Sequence, residues 1–152
     1  MNLHPIHLAK RFASSLDRRP PTISDELFAS THLSTAEHSL WTRLGNADRR
    51  HAVLVARRFA DRRPDASIAE IAGALLHDIG KIDADLPVWR RVIVTLRSAL
   101  GRDPGDQIAR RYVDHEAIGE ALLESIGSDP ATIATASGRG PAGSALRHAD
   151  QI

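Results

Sequence analysis

Residues 67–81 constrain the fold more than any other part of this sequence. Apolar residues recur in this segment at helical spacing, namely Ile68, Ile71, Ala72, Leu75, Leu76 and Ile79. Because residues three and four apart share one face of a helix, the segment is predicted to form a buried α-helix over 67–79. Ser67 and Glu70 have the spacing of a capping box at its start, and Gly80 is predicted to mark its end.

The remaining sequence follows the same pattern of helices separated by short loops. Ser34 with Glu37 forms a second capping-box pattern, and Asn46, Gly127 and Asp129 stand at further predicted helix boundaries. Helices are predicted over about 34–44, 47–62, 86–100, 115–126 and 130–136, followed by a flexible loop at 138–143 and a return to helix. The sequence shows no alternating pattern typical of a strand, so the predicted fold class is all-α.

The first 33 residues are predicted to form a basic arm and linker, and residues 34–152 a helical domain. Residues 1–16 fit an amphipathic helix or an arm, and Pro20-Pro21 lies in a predicted linker over 17–25. Up to residue 63 the chain has 11 Lys and Arg against 6 Asp and Glu. This excess fits either a polyanion-binding surface or solvated helices. We favour the second explanation, in which the arginines solvate the helices, over binding of nucleic acid. The reason is that no aromatic platform accompanies the arginines.

Composition predicts one cytoplasmic domain that does not enter a membrane. The chain has 152 residues, of which 42% are hydrophobic, enough for a single core. It has no apolar run of the roughly 18 residues that cross a bilayer, and its start has no continuous apolar stretch like that of a signal peptide. Because the chain has no cysteine, any metal must be bound by histidine and carboxylate groups. The oligomeric state is left open.

The pair His77-Asp78 provides two candidate metal ligands at the end of the predicted helix. Neighbouring side chains on a helix diverge by about 100°, an angle close to that between two cis ligands of an octahedral metal ion. A carboxylate near a helix C-terminus also opposes the helix dipole, and a bound cation would account for that placement. Lys81 follows closely enough to face an anion bound at the same place.

The order of these residues resembles the HD-domain superfamily of metal-dependent phosphohydrolases. The family pattern is a His, a His-Asp pair and a distant Asp on helices, and the matching residues here are His51, His77, Asp78 and Asp150. The extended run His77-Asp78-Ile79-Gly80-Lys81, followed by His115-Glu116-Ala117-Ile118-Gly119, is similar to small bacterial HD proteins related to the HD-GYP group. The resemblance covers residues 46–152.

The resemblance implies an HD-domain-like helical bundle that binds one of the divalent metal ions Mn, Fe, Ni, Co, Zn or Mg. It implies His51, His77, Asp78 and Asp150 as metal ligands, and Lys81 as a phosphate-binding residue. Asp78 and Lys81 are the expected catalytic residues, with Arg50 and Arg147 as further substrate-binding residues. The expected reaction is hydrolysis of a nucleotide or another small phosphate ester.

His115 bears on the number of metal ions. In relatives that bind two ions, a His at this position joins the second ion and the central Asp bridges both. Those relatives usually carry a further His about one helix later, but residues 131–138 contain none, and the Gly-Tyr-Pro signature is absent. One metal ion is therefore the favoured prediction, and hydrolysis of cyclic di-GMP is not expected.

Each candidate ligand also has a structural interpretation. His51 lies on the apolar stripe of its predicted helix, where a lone histidine is commonly a core residue, and Asp150 lies two residues from the end, where chains commonly fray. The missing downstream histidines and the terminal position of Asp150 motivate an alternative function, that of a catalytically degenerate HD module which binds a nucleotide or a protein partner in a regulatory role.

Overall fold

The structure, a computed structural model, describes residues 19–82, 101 and 115–151. This part of the chain contains seven α-helices and a 3₁₀ turn, with no strand. The helices are α1 Ile23–His32, α2 Thr35–Trp41, α3 Asn46–Arg62, α4 Ile68–Leu75, α5 His115–Ser125, α6 Pro130–Ala136 and α7 Gly140–Asp150, and the 3₁₀ turn spans Ile79–Lys81. The all-α prediction is confirmed. The helices predicted over 1–16 and 86–100 lie outside the described residues.

Capping boxes begin both of the helices for which the sequence predicted them. The Ser34 side chain accepts from the Glu37 backbone while the Glu37 carboxylate accepts from the Ser34 N–H at 2.9 Å. Ser67 and Glu70 exchange the same pair of bonds at the start of α4. These reciprocal bonds satisfy backbone donors that the first helical turn leaves unpaired. Local sequence therefore determines where α2 and α4 begin.

The helix α1 begins inside the segment that was predicted to be a linker over 17–25. Thr22 and Asp25 form its capping box, and Ala29 is fully buried. Two of its large apolar residues, Ile23 and Leu27, are exposed, so the sequence shows no clear apolar stripe for this helix. The linker prediction is therefore wrong from Ile23 onward. The helix is held by packing against α3 and α4, which a sequence pattern does not show.

Arginines of α3 attach α1 to the rest of the structure. The Arg49 guanidinium lies 3.0 Å from a Glu26 carboxylate oxygen. The Arg57 guanidinium lies 4.5 Å from the centre of the Phe28 ring and 3.6 Å from Asp25. Cation–π contacts of this kind contribute about 0.5–1 kcal/mol when exposed. Part of the basic excess in the amino-terminal half therefore has a structural role within the chain.

The core lies around α4, which packs against α1, α3 and α6. Its fully buried large side chains include Trp41, Phe59, Leu75, Leu76, Ile79 and Leu123. Contact between α4 and α6 is close at Gly73, where an added β-carbon would lie 2.6 Å from the Thr132 carbonyl oxygen. The Thr132 hydroxyl donates to the Ala69 carbonyl oxygen at 3.0 Å, which satisfies a buried polar group at the same contact.

The end of α4 differs from the sequence prediction. The helix stops at Leu75, so His77 and Asp78 lie in a turn before the 3₁₀ segment rather than on a helix that continues to residue 79. Gly80 is not a left-handed C-terminal cap, because its φ is not positive. An added β-carbon there would overlap the His115 carbonyl group. The glycine is needed for a tertiary contact, which local sequence rules do not register.

The helix α7 begins within the predicted loop over 138–143. Gly138 and Gly140 have φ values of 67° and 69°, which glycine adopts without strain, and Pro141 occupies the first turn of the helix. Gly143 then packs directly on the Gly138 backbone. The loop prediction is therefore wrong from residue 140. None of the helices in the described residues is long and apolar enough to span a bilayer.

We expect Ser67→Ala to lower the free energy of unfolding by about 1 kcal/mol, because it removes the side-chain acceptor at the start of α4. The matched control is Ser39→Ala, which replaces an exposed serine inside α2 and should change stability by less than about 0.5 kcal/mol. Urea denaturation at pH 7 measures both values. Equal effects of the two substitutions would contradict the capping role.

Candidate metal centre

Four separate elements bring the candidate ligands together. His51 comes from the middle of α3, and His77 and Asp78 from the turn after α4. His115 is the first residue of α5, and Asp150 is the last residue of α7. These residues are far apart in the sequence, so their proximity is a property of the tertiary structure.

His51, His77 and Asp150 form the closest group. One ligand atom from each lies within 4.8 Å of the corresponding atoms of the other two. The His51 Nε2 atom is 2.9 Å from Asp150 Oδ1, and the His77 Nε2 atom is 3.9 Å from the same oxygen. Two imidazole nitrogens and a carboxylate oxygen in this arrangement are suited to binding a divalent transition-metal ion.

The orientation of His77 is fixed by the backbone of α4. Its Nδ1 atom lies 2.9 Å from the Ala74 carbonyl oxygen, and a carbonyl can only accept, so Nδ1 carries the proton. In the neutral ring Nε2 then has a free lone pair. That atom is buried and has no hydrogen-bond partner among the described residues. A backbone carbonyl that fixes the tautomer of a metal-binding histidine is a common arrangement around metal ions.

Burial also favours the neutral form of His77. Loss of solvation lowers the pKa of its imidazole, and the nearby Asp78 carboxylate, which acts in the opposite direction, does not reverse this effect. A neutral imidazole is the form that binds a metal ion. The buried, unpaired Nε2 atom and the lowered pKa therefore agree with a ligand role.

Asp78 lies beside this group and connects it to Lys81 and His115. Its Oδ2 atom is 2.6 Å from the Lys81 ammonium and 3.6 Å from His77 Nε2. Its Oδ1 atom is 3.7 Å from His115 Nε2. Burial raises the pKa of the Asp78 carboxyl, but Lys81, His77 and His51 outweigh this effect and hold the pKa well below its usual value. Asp78 is therefore ionised.

The remaining sequence candidates have other contacts. Lys81 is only 10% exposed and pairs with Asp78, whereas the sequence suggested that it faces a bound anion. Arg50 donates to the Arg19 carbonyl oxygen, and Arg147 donates to the Gly138 carbonyl oxygen and the Ser144 hydroxyl. These arginine contacts are with groups outside the set of candidate ligands, so substrate binding by Arg50 and Arg147 stays a prediction.

Sequence reasoning missed two features of the site. The first is the Ala74 carbonyl that orients His77, whose position three residues earlier in the chain is a usable signal. The contact between Gly80 and the His115 backbone was also missed, and no local pattern pointed to it. Both features involve backbone groups, which residue types alone do not reveal.

Comparison of the chain with protein-family models, with curated proteins and with solved structures finds no match. The likeness to HD-domain proteins therefore remains a resemblance in the order of motif residues. What the structure adds is the proximity of His51, His77 and Asp150.

Acid is expected to remove stability that the ionised Asp78 contributes. Because its native pKa is lower than the value of about 3.9 in an unfolded chain, the contribution is complete above that value and is lost as the pH falls towards the native pKa. Urea denaturation between pH 7 and pH 3 should show a steeper loss for the wild type than for Asp78→Asn/Lys81→Met. The double variant is the control because it removes both charges together. Equal slopes would contradict an ionised Asp78 paired with Lys81.

Proposed function

We propose that the protein is a metal-dependent phosphohydrolase that acts on a nucleotide or another small phosphate ester. The observation that carries this proposal is the grouping of His51, His77 and Asp150 around one position, with His77 Nε2 buried and unpaired among the described residues. The resemblance to HD-domain proteins supplies the reaction class.

A divalent ion would be held by His51, His77 and Asp150, with Asp78 as the adjacent fourth ligand. The donor set contains only nitrogen and oxygen, which suits Mn²⁺, Fe²⁺, Co²⁺, Ni²⁺, Zn²⁺ or Mg²⁺. When bound, such an ion lowers the pKa of a coordinated water and polarises a phosphoryl oxygen. One ion per chain is the favoured stoichiometry, because residues 131–138 contain no histidine to join His115.

Lys81 and Asp78 supply the remaining chemistry. The Lys81 ammonium is held at the edge of the site by Asp78 and would neutralise negative charge on the phosphate in the transition state. The ionised Asp78 carboxylate accepts a hydrogen bond from the attacking water and orients it. The His115 Nε2 atom lies 3.7 Å from the other oxygen of the same carboxylate.

One observation favours the alternative function. The Lys81 ammonium is mostly buried and engaged with Asp78 at 2.6 Å, so a phosphate must compete with that carboxylate for the charge. A site with this feature is compatible with a degenerate HD module that binds a nucleotide or a protein partner without turnover. The two functions differ in whether product forms.

The first test measures bound metal by mass spectrometry after reconstitution with Mn²⁺, Co²⁺, Ni²⁺ and Mg²⁺ in turn. We expect about one ion per wild-type chain and at least tenfold weaker binding by Asp150→Asn, which loses a charged ligand. His148→Gln is the matched control, because His148 is exposed on the same helix two residues away. The proposal fails if the folded wild type binds no ion under any of these conditions.

The second test measures phosphate release from p-nitrophenyl phosphate and from a panel of nucleotides. The metal-loaded wild type should release phosphate. Asp78→Ala should lower the rate by at least a hundredfold, because it removes both the proposed fourth metal ligand and the carboxylate that orients the water. Circular dichroism verifies that the variant is folded. Nucleotide-dependent thermal stabilisation of a metal-loaded protein that forms no product would favour the regulatory module.

A further inference from the structure

The helix α5 and the 3₁₀ turn meet through two glycines. An added β-carbon at Gly80 would overlap the His115 carbonyl group and lie 2.8 Å from the Gly119 nitrogen. An added β-carbon at Gly119 would lie 3.2 Å from the Gly80 nitrogen and 3.3 Å from the Ile79 Cγ2 atom. Backbone therefore packs directly on backbone at this crossing.

This crossing faces the candidate metal centre. Gly119 lies four residues after His115, so both residues share one face of α5. The opposing turn carries Asp78 immediately before Ile79, and Ile79 is fully buried. The closeness of the two backbones brings the first residue of α5 to the Asp78 side chain, where His115 Nε2 lies 3.7 Å from Oδ1.

We infer that Gly80 and Gly119 are positioning residues of the candidate metal centre, because their contact holds the His115 imidazole beside the Asp78 carboxylate. The placement of His115 follows from the packing alone. The consequence for metal binding rests on the proposed function, since it requires that the site bind an ion.

The two glycines differ in how much substitution they tolerate. At Gly80 the obstructing atoms belong to the His115 backbone, so any side chain must displace α5 as a whole. At Gly119 an alanine requires its neighbours to move by a few tenths of an ångström, and a valine requires a larger shift. Gly119 is therefore the position at which His115 can be displaced while the fold is kept.

The test follows the ring carbon–proton NMR signal of His115 in metal-free protein at pH 7.5, with His115→Gln used to assign it. In the wild type, Asp78→Asn should shift this signal, because the two side chains are in contact. When Asp78→Asn is introduced into the Gly119→Val variant, the His115 signal should shift by less than one third of the wild-type amount. Ala121→Val is the control, since it places the same side chain on an exposed position of the same helix and should keep the full response.

Variants that fail to fold have direct replacements. Gly119→Ala substitutes for Gly119→Val and should give an intermediate response. Asp78→Asn/Lys81→Met substitutes for Asp78→Asn and leaves no unpaired lysine. A His115 signal that responds to Asp78→Asn equally in the wild type and in the Gly119 variant would overturn the inference.

A second measurement follows the consequence for Mn²⁺ binding. Gly119→Val should weaken Mn²⁺ binding about tenfold, as is typical when a group that supports a ligand is displaced. It should add no further loss in a His115→Gln background, because the two changes remove the same contact. Additive losses would overturn the inference. Absence of Mn²⁺ binding by the wild type would contradict the proposed function, while the NMR comparison would still decide the positioning role.

Discussion

The close packing around α4 and the turn that follows it is the constraint on which the other elements depend. On one side, Gly73 allows α6 to approach until a β-carbon would lie 2.6 Å from the Thr132 carbonyl oxygen. After the helix ends, Gly80 allows the backbone of α5 to make a comparable approach. Interiors are packed as densely as organic crystals, so such contacts fix the positions of neighbouring helices. The helices α5 and α6 are thereby held against the segment that carries His77 and Asp78.

Burying the charged and polar groups of the candidate metal centre costs free energy, because these groups lose contact with water. Asp78 and Lys81 are each about one tenth exposed, and removing two such charges from water costs several kcal/mol per ion before their attraction is counted. The Nε2 atom of His77 is buried and has no hydrogen-bond partner among the described residues, although protein folds usually satisfy such atoms. Groups of this kind are concentrated at functional sites. A metal ion bound among His51, His77 and Asp150 would offset part of these costs.

The arginine-rich amino-terminal half has a structural component that charge counting does not reveal. Arg49 and Arg57 each combine an ion pair with an aromatic contact, to Trp41 and Phe28 respectively. The planar guanidinium can stack on a ring while its N–H groups reach a carboxylate, whereas a lysine ammonium cannot do both. The two ion pairs and the Phe28 contact attach α1 to α3, in addition to the packing of α1 against α3 and α4. The basic surplus is therefore partly internal to the fold.

The sequence by itself determined the fold class, most helix boundaries and the order of the candidate ligands. Capping boxes at Ser34 and Ser67 fixed the starts of two helices, because these bonds involve residues only three positions apart. Only the tertiary structure decided that α4 ends at Leu75, that α1 forms a packed helix, and that His51 and Asp150 meet at 2.9 Å. The end of α4 and the need for Gly80 depend on a distant helix backbone, which no local pattern encodes. Ligand proximity likewise depends on contacts between residues almost a hundred positions apart, and a sequence pattern specifies their chemistry but not their distance.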